Sequence, residues 1–465
     1  METISPNDIL AKAETLRNSL STGFRDEIVK SIYSEAERVA HRAVKTASDK
    51  KYDLDQKIDR LVTSPWTGLP LMLVLLGIII WLTVSGANVA SEAIANLLFG
   101  LGDLGRNLFN QIGAPWWITG FIWDGVYLGL AWVISVMLPP MAIFFPAFTF
   151  LEDLGYLPRV AFNLDWLFKK AGAHGKQSLT MAMGFGCNAA GVVATRVIDS
   201  PRERLIAILT NNFVPCNGRF PTLIMLATVF VASAFPPALT SFVAAGTVVG
   251  VVLIGVAFTF FMSWLLSRTV LKGEASAFTL ELPPYRKPNL GRILYTSIID
   301  RTIFVLWRAM QTAAPAGAII WILANIPYGD ANLARAIADW LNPFGLILGL
   351  DGVILLAYII AIPANEIVVP TMMMVYMGAG MMIDGPGTSA GIFDLLVNGN
   401  GWTMLTAVNL MLFALLHNPC ATTIMTIYKE TKSWKWATVS VVITLGLAFL
   451  VTFLTASVAR LLGWA

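Results

Sequence analysis

Charge and cysteine are both scarce in this 465-residue sequence. Only 13% of the residues are charged, whereas 56% are hydrophobic and the mean hydropathy is +0.68. A soluble domain carries about 25% charged residues, so this apolar surplus has to be solvated by lipid. Three cysteines are too few, and odd in number, for a disulfide framework. The net charge of +3 is too small to indicate a polyanionic partner, which excludes nucleic acid as a ligand.

A nucleotide-binding loop is missing as well. The string GAHGKQS at 172–178 approaches the phosphate-loop pattern, but Gln177 stands where that pattern requires Ser or Thr after the lysine. We therefore predict that the chain is not an enzyme and does not hydrolyse a nucleotide by itself. No cleavable signal peptide is visible, because the first 60 or so residues are polar with helical periodicity.

Apolar runs long enough to cross a bilayer recur along the chain. A spanning helix needs about 20 apolar residues. By this criterion we predict spans at 67–87, 116–138, 205–232, 239–267, 303–326, 403–428 and 436–460. Three further apolar stretches are interrupted by proline, glycine or polar residues, namely 139–154, 178–195 and 347–378.

The distribution of basic residues predicts the orientation. Lys and Arg concentrate at 155–204, 268–308 and 429–435. The N-terminus and segments 155–204, 268–302 and 429–435 should therefore face the cytoplasm. The loops predicted on the opposite side carry few basic residues; they are 88–115, 233–238, 327–346 and 379–401.

This orientation makes two interrupted segments start and end on the same side. Segments 178–195 and 347–378 should therefore dip into the membrane and return. Each is followed by a span with a Pro-Cys pair, Pro215-Cys216 in one half and Pro419-Cys420 in the other. Two halves of opposite topology with matching interruptions are typical of transporters. The alternative is that both segments are ordinary kinked helices.

The predicted fold class is an all-α polytopic membrane protein with two inverted gate-like repeats that contain interrupted, re-entrant helices. The predicted domains are a cytoplasmic helical segment (1–60), a first transmembrane gate half (61–267), a cytoplasmic linker (268–302) and a second transmembrane gate half (303–465).

Polar side chains lie at the predicted interruptions. Non-helical backbone at membrane depth is tolerated only where it lines a cavity or is buried in protein. A carboxylate there costs about 2.5 kcal/mol or more, so Glu366 should be paired or bind a cation. Thiol, carboxylate and amide groups together suit a borderline divalent metal such as Fe(II). The predicted metal-binding residues are Cys187, Asn188, Cys216, Asn365, Glu366 and Cys420.

Several of these features have plainer interpretations. Buried cysteine is common as apolar filling, and Glu366 could instead form an ion pair with a basic residue near the cytoplasmic ends. We interpret the methionine-rich run at 372–382 as flexible apolar packing rather than soft-metal handling. We place Glu152 at the membrane interface and assign no role to His417.

Six segments in this order resemble the membrane domain of FeoB-type ferrous iron transporters, from about residue 54 to the C-terminus. They are KIDRLVTSPWTGLPL (57–71), LEDLGYLPRVAFNLD (151–165), GFGCNAAGVVATRVIDSPRERLIAIL (184–209), PCNGRFP (215–221), NEIVV (365–369) and NPCATTIMTIYKETKSWKWA (418–437).

The resemblance implies two gate-like repeats and metal passage near Cys187, Cys216, Cys420 and the Glu366 segment. Family members usually begin with a cytoplasmic GTPase, whereas here we expect only a part similar to its linker, near 25–60. The implied partners are the lipid bilayer, a separate GTPase chain and a small SH3-like accessory protein, and a homo-oligomer is left open.

The functional hypothesis is Fe(II) uptake across a prokaryotic plasma membrane, with the N-terminus cytoplasmic. Fe(II) is then the transported substrate, and no cofactor is expected to be bound permanently. The alternatives are transport of Mn(II) or a nucleoside-like solute, or a membrane receptor or subunit that transports nothing.

Overall fold

The described part of the chain is almost wholly helical. The structure is a computed structural model that describes residues 24–43, 50–273, 284–329, 331–382 and 389–463, together with Lys12 and Thr15. Within these ranges, strand is confined to the antiparallel pair Pro327–Tyr328 and Ala331–Asn332. The predicted all-α polytopic membrane fold is confirmed.

Seven helical stretches in the described ranges are long and apolar enough to cross a membrane, or eight if one bent pair counts as a span. The chain is thus a multi-pass membrane protein. Each stretch overlaps one of the seven predicted spans; they are Trp66–Thr83, Trp116–Leu154, Pro201–Ala234, Leu239–Arg268, Leu290–Asn325, Met404–Thr431 and Trp434–Leu461.

The first membrane helix is much longer than predicted. It runs from Pro65 to Gln111, 47 residues, so most of the predicted loop 88–115 is helix. A straight helix of this length measures about 70 Å, more than twice the thickness of the hydrocarbon core. No proline occurs between Pro70 and Pro115 to end it, and it packs along Trp116–Leu154.

The predicted interruption at 139–154 is wrong. A π-helical stretch, Gly120–Tyr127, leads into a continuous helix, Leu128–Leu154, that contains Pro139, Pro140 and Pro146. Proline fixes φ near the helical value, and its missing N–H is tolerated where neighbouring helices enclose the backbone. Composition alone therefore overstated the break.

The other two interruptions are real and each forms a pair of short helices. The first hairpin (177–194) consists of Gln177–Gly186 and Asn188–Ala194, and the second hairpin (352–377) of Gly352–Ile360 and Val368–Met377. Pieces of 7 to 10 residues measure about 10 to 15 Å, about half of the hydrocarbon thickness at most. The two pieces of each hairpin pack against each other.

The second hairpin is preceded by a sharp turn. Helix Leu333–Ile347 meets Gly352–Ile360 at 111°. The side chain of Asp351 accepts a hydrogen bond from the Ile354 N–H over 2.8 Å and so caps the new helix.

Each hairpin is followed by a span that is itself broken at its Pro-Cys pair. The first is Pro201–Thr210 followed by Phe220–Leu226, and the second is Met404–Leu416 followed by Ala421–Thr431. One large apolar core, with Phe145, Phe213 and Leu415 buried in it, holds both halves together.

The N-terminal segment forms helices in its described part, Phe24–Ala43 and Lys50–Val62, and its cytoplasmic location stays a prediction. In the predicted linker 268–302, residues 274–283 lie outside the described residues, and helix Leu290–Tyr295 begins the second half. The domain boundaries stay a prediction.

Candidate metal-permeation site

Four extended residues interrupt the helices, and a short helix starts directly after each. Cys187 (φ −157°, ψ 124°), Cys216, Ala364 and Cys420 all have extended backbone. The first N–H groups of a helix have no partner within it and carry a partial positive charge. The breaks therefore expose polar backbone in the middle of an apolar core.

The three cysteines and Glu366 belong to one region. All three thiols are free. The helices that follow Cys187 and Cys420 contact each other, as do the short turns that follow Cys216 and Ala364. The Ala421 N–H also donates to the Ile362 carbonyl oxygen over 2.8 Å, which places Cys420 beside the segment that carries Glu366. Residues separated by up to 233 positions in the sequence are thus brought together by the two hairpins and the two broken spans.

Glu366 faces the backbone of the other repeat. A methyl group placed on Gly218 would lie 2.2 Å from Glu366 Oε1, so the carboxylate rests against the glycine. Within the described ranges, no Lys, Arg or His forms an ion pair with Glu366 within 4.0 Å. The ion-pair alternative is therefore not realised there, and the carboxylate remains available to a ligand.

The two predicted asparagines, Asn188 and Asn365, make contacts with other protein groups. Asn188 Nδ2 lies 3.3 Å from Asn212 Oδ1. With the amide turned by 180°, Nδ2 instead donates to the carbonyl oxygens of Gly184 (3.2 Å) and Val214 (3.1 Å), which its oxygen otherwise faces. In that orientation the Asn188 side chain links the two helices of the first hairpin, because it lies in the second helix and binds the Gly184 carbonyl of the first. Asn365 Oδ1 lies 3.4 Å from Nε2 of buried His417, to which the sequence assigned no role.

A buried arginine that the sequence did not single out joins the two repeats. Arg219 is 1% exposed. Its Nη1 donates to the carbonyl oxygens of Asn212 (2.6 Å) and Leu415 (2.8 Å), and its Nη2 donates to that of His417 (2.9 Å). These carbonyls are freed where the broken helices end, so one guanidinium satisfies acceptors from both halves. Its position in the PCNGRFP segment was the only available signal.

The site is not a preformed metal cage. Among the described residues, no three His, Cys, Asp or Glu side chains lie close enough together to hold a metal ion. A cation bound here would need amide or carbonyl oxygens, or water, beside at most two of these side chains.

A cavity of about 590 Å³ reaches Cys187. We call it the Cys187 cavity. One wall is the helix Asn188–Ala194, and Thr422 contributes from the second repeat. Its charged lining residues are Glu152, Arg301 and Arg308, and Arg301 Nη2 pairs with Glu152 Oε2 over 3.2 Å. Glu152, which the sequence placed at the interface, thus also borders this cavity.

The sequence matches two known family models. The first, described as "Nucleoside recognition" and called Gate, matches residues 134–230 and 306–434, one stretch in each half. The second, described as "Ferrous iron transport protein B C terminus", matches residues 248–300.

Curated relatives match nearly the whole chain. An Fe(2+) transporter FeoB of Staphylococcus aureus is 28% identical over 470 residues, which cover 96% of this chain and 67% of the relative. An Fe(2+) transporter FeoB of Campylobacter jejuni is 28% identical, covering 90% and 67%. A Porphyromonas gingivalis relative, named as a fusion of Fe(2+) transport protein A and Fe(2+) transporter FeoB, is 28% identical, covering 94% and 54%.

Proposed function

Since the chain is recognised as a FeoB-type, gate-containing membrane domain, we propose that it carries ferrous iron across a prokaryotic plasma membrane. The proposed path passes Cys187, Cys216, Cys420 and Glu366. The observation that carries the proposal is that three free thiols and the Glu366 carboxylate, which forms no ion pair within the described ranges, lie in one region where helices of both repeats are interrupted.

Interrupted helices supply a physical reason for ion passage at this place. Charged ligands are costly in an apolar core unless the surroundings support them. Metal is bound by the deprotonated thiolate and carboxylate forms, and the charge of an arriving cation itself favours these forms. Converging half-helices at the interface of two repeats are the usual location of a substrate site in transporters.

The donor set favours Fe(II) over harder cations. Thiolates select soft or borderline metals, whereas Mg²⁺ prefers a full set of oxygen ligands. Glu366, Asn188 and Asn365 add oxygens that Fe(II) also accepts. The names of the relatives, each an Fe(2+) transporter, support the same choice.

Partners and orientation belong to the same proposal. The excess of basic residues at 155–204, 268–308 and 429–435 supports a cytoplasmic N-terminus. A GTPase acting on the N-terminal helices and a small accessory protein would assist transport. The fused Porphyromonas relative, whose name includes Fe(2+) transport protein A, supports a partner of the second kind.

Uptake into proteoliposomes tests the proposal. Purified protein is reconstituted with an encapsulated chelator that fluoresces until it binds Fe(II), and the rate is compared with empty vesicles under reducing conditions. We expect Glu366→Gln to lower the initial rate by about tenfold or more, the loss that even outer metal-site partners cause. Glu92→Gln, an exposed carboxylate on the first membrane helix, is the matched control. Wild-type uptake no faster than empty vesicles overturns the proposal and favours a receptor or subunit.

An organic solute is the second candidate, because the Gate family model is described as "Nucleoside recognition". The same vesicles distinguish the two. If the metal is the substrate, excess nucleoside in the outer solution leaves the rate of Fe(II) uptake unchanged. Excess Mn(II) lowers that rate only as far as the thiols can also bind Mn(II).

A further inference from the structure

Two short helices, one from each repeat, start at the cysteines and pack side by side. We call Asn188–Ala194, which follows Cys187, the first cysteine helix, and Ala421–Thr431, which follows Cys420, the second cysteine helix. A small apolar cluster lies between and beneath them; its buried members are Val192, Ile208, Ile427 and Ala437.

The far ends of these helices are joined by an ion pair. Arg196 lies in the single turn Thr195–Val197 that follows the first cysteine helix. Its Nε and Nη2 donate to Glu430 Oε2 (2.9 Å) and Oε1 (2.6 Å), a two-pronged contact near the end of the second cysteine helix. Arg204 Nη2 is 3.9 Å from Glu430 Oε2.

The burial of the two partners is unequal. The Glu430 side chain is 5% exposed, whereas that of Arg196 is 66% exposed. A buried carboxylate needs its cationic partners, and without Arg196 the nearest remaining arginine is Arg204 at 3.9 Å. Loss of the Arg196 contact therefore leaves the charge of Glu430 poorly compensated, which favours separation of the two helix ends so that water can reach the carboxylate.

The ion pair acts on the cysteines through two rigid helices. From Cys187 to Arg196 and from Cys420 to Glu430 is 9 to 10 residues, or about 14 Å of helix. The first cysteine helix is also a wall of the Cys187 cavity. Separation of the helices at their far ends therefore changes the width of that cavity and the exposure of Cys187.

We propose that Arg196 and Glu430 form a clasp that holds the two cysteine helices together and limits access from the Cys187 cavity to Cys187. Both are positioning residues, because neither touches the proposed path. The inference goes beyond the proposed transport, because the expected exposure of Cys187 does not depend on which solute the protein carries.

The test measures the rate at which Cys187 reacts with a neutral maleimide. The parent protein carries Cys216→Ser and Cys420→Ser, so that one thiol remains, and Arg204→Gln, so that a swapped pair meets no second arginine. Glu430→Gln and Arg196→Gln should each raise the labelling rate by about fivefold or more, the lower range of measured couplings. Arg196→Glu combined with Glu430→Arg should return the rate toward that of the parent.

Asp339→Asn is the control, because it removes an exposed carboxylate from a pair within one helix and should leave labelling unchanged. If the glutamine variants fail to fold, Arg196→Lys still gives an answer. It keeps a positive charge at an exposed position but cannot make the two-pronged contact, so it should label faster than the parent. Folded single variants that label at the parent rate, a swap that labels as fast as the singles, or an Arg196→Lys variant that labels at the parent rate would each overturn the clasp.

Discussion

Arg219 in the first repeat donates a hydrogen bond to the carbonyl oxygen of His417 in the second repeat, over 2.9 Å. The two residues are 198 positions apart in the sequence. Because the same guanidinium binds the carbonyls of Asn212 and Leu415, a single buried charge fixes the ends of both broken spans. The halves are therefore coupled at the level of the breaks, not only through apolar packing.

Removal of this guanidinium should destabilise the fold strongly. Arg219→Met leaves three buried carbonyl oxygens without their donors, at about 1–3 kcal/mol each before relaxation, so we expect a loss of at least about 3 kcal/mol. The measurement is thermal unfolding in detergent. Arg335→Met, which removes an exposed arginine from a pair within helix Leu333–Ile347, should cost about 0.5 kcal/mol or less. Equal melting of the two variants would show that Arg219 is not the link.

The sequence predicted the elements that depend on local pattern. Apolar length located the seven spans, and Gly and Pro located the breaks at Cys187, Cys216 and Cys420. Prediction failed where proline can either break a helix or lie within one. Pro139 and Pro140 lie inside a continuous helix because the surrounding helices enclose it, whereas Pro363 lies in a true break.

The rest of the candidate site depends on contacts that no local pattern reveals. Arg219 stands between Gly218 and Phe220 in a segment that resembles a loop, and its burial is decided by carbonyls from the other repeat. His417 likewise gains its place beside the candidate site from a contact with Asn365, which is far from it in the sequence. The proximity of the predicted site residues was inferred from repeat topology, and their role in metal binding stays a prediction.

A single methyl group should perturb the proposed path without unfolding the protein. Gly218 lies in the short helical turn Asn217–Arg219, where alanine fits the backbone, but the new Cβ would lie 2.2 Å from Glu366 Oε1. Gly218→Ala should therefore displace the carboxylate and lower Fe(II) uptake. Gly250→Ala is the matched control, since a Cβ there meets nothing within 4 Å. Combination with Glu366→Asp, which shortens the side chain, should restore part of the rate; uptake by Gly218→Ala equal to that of the control contradicts the prediction.

Replacement of a thiol should change which metal is preferred. Cys420 Sγ lies 3.3 Å from Thr423 Oγ1, so a serine hydroxyl can take the same contact and keep the local structure. Cys420→Ser exchanges a soft ligand for a hard one, and the ratio of Fe(II) to Mn(II) uptake should fall. Met377→Leu is the control for loss of a sulfur away from the site, because Met377 is 48% exposed. An unchanged ratio in Cys420→Ser would remove this thiol from the path.

The methionine-rich run gives no reason to expect a second soft-metal site. Met372, Met373 and Met374 are 0% exposed and belong to the large apolar core. This placement agrees with the interpretation of the run as apolar packing.

The helix Lys50–Val62 is attached to the membrane part by a three-residue polar cluster. Arg159, which is 1% exposed, donates from Nε to Asp59 Oδ1 over 3.0 Å, and the Tyr285 hydroxyl donates to the same oxygen over 2.9 Å. The guanidinium also lies 4.0 Å from the centre of the Tyr285 ring. Asp59 thus connects the N-terminal segment to the helix Tyr156–Lys170 and to the chain that precedes the second half.

This attachment should depend on pH. Partial burial raises the pKa of Asp59, but the hydrogen bonds from Arg159 and Tyr285 and the Arg159 charge together hold the pKa below its usual value. A carboxyl whose pKa is lowered in the folded state stabilises it above the unfolded pKa of about 3.9. The stabilisation is lost as the pH falls through the lower, folded pKa. Attachment should therefore be complete at neutral pH and weaken under acid.

Hydrogen exchange of the amides in Lys50–Val62, measured against pH, tests this expectation. Asp59→Asn cannot ionise, so it should speed exchange at neutral pH by the equivalent of about 2 kcal/mol at most, given that Asp59 is 28% exposed. In this variant, acid should cause no further loss of amide protection of the kind expected in the wild type. Asp55→Asn, which removes a carboxylate from the same helix, is the matched control. If Asp59→Asn and Asp55→Asn exchange alike at neutral pH, the cluster does not hold the helix, and signals from an N-terminal partner must reach the membrane part by another route.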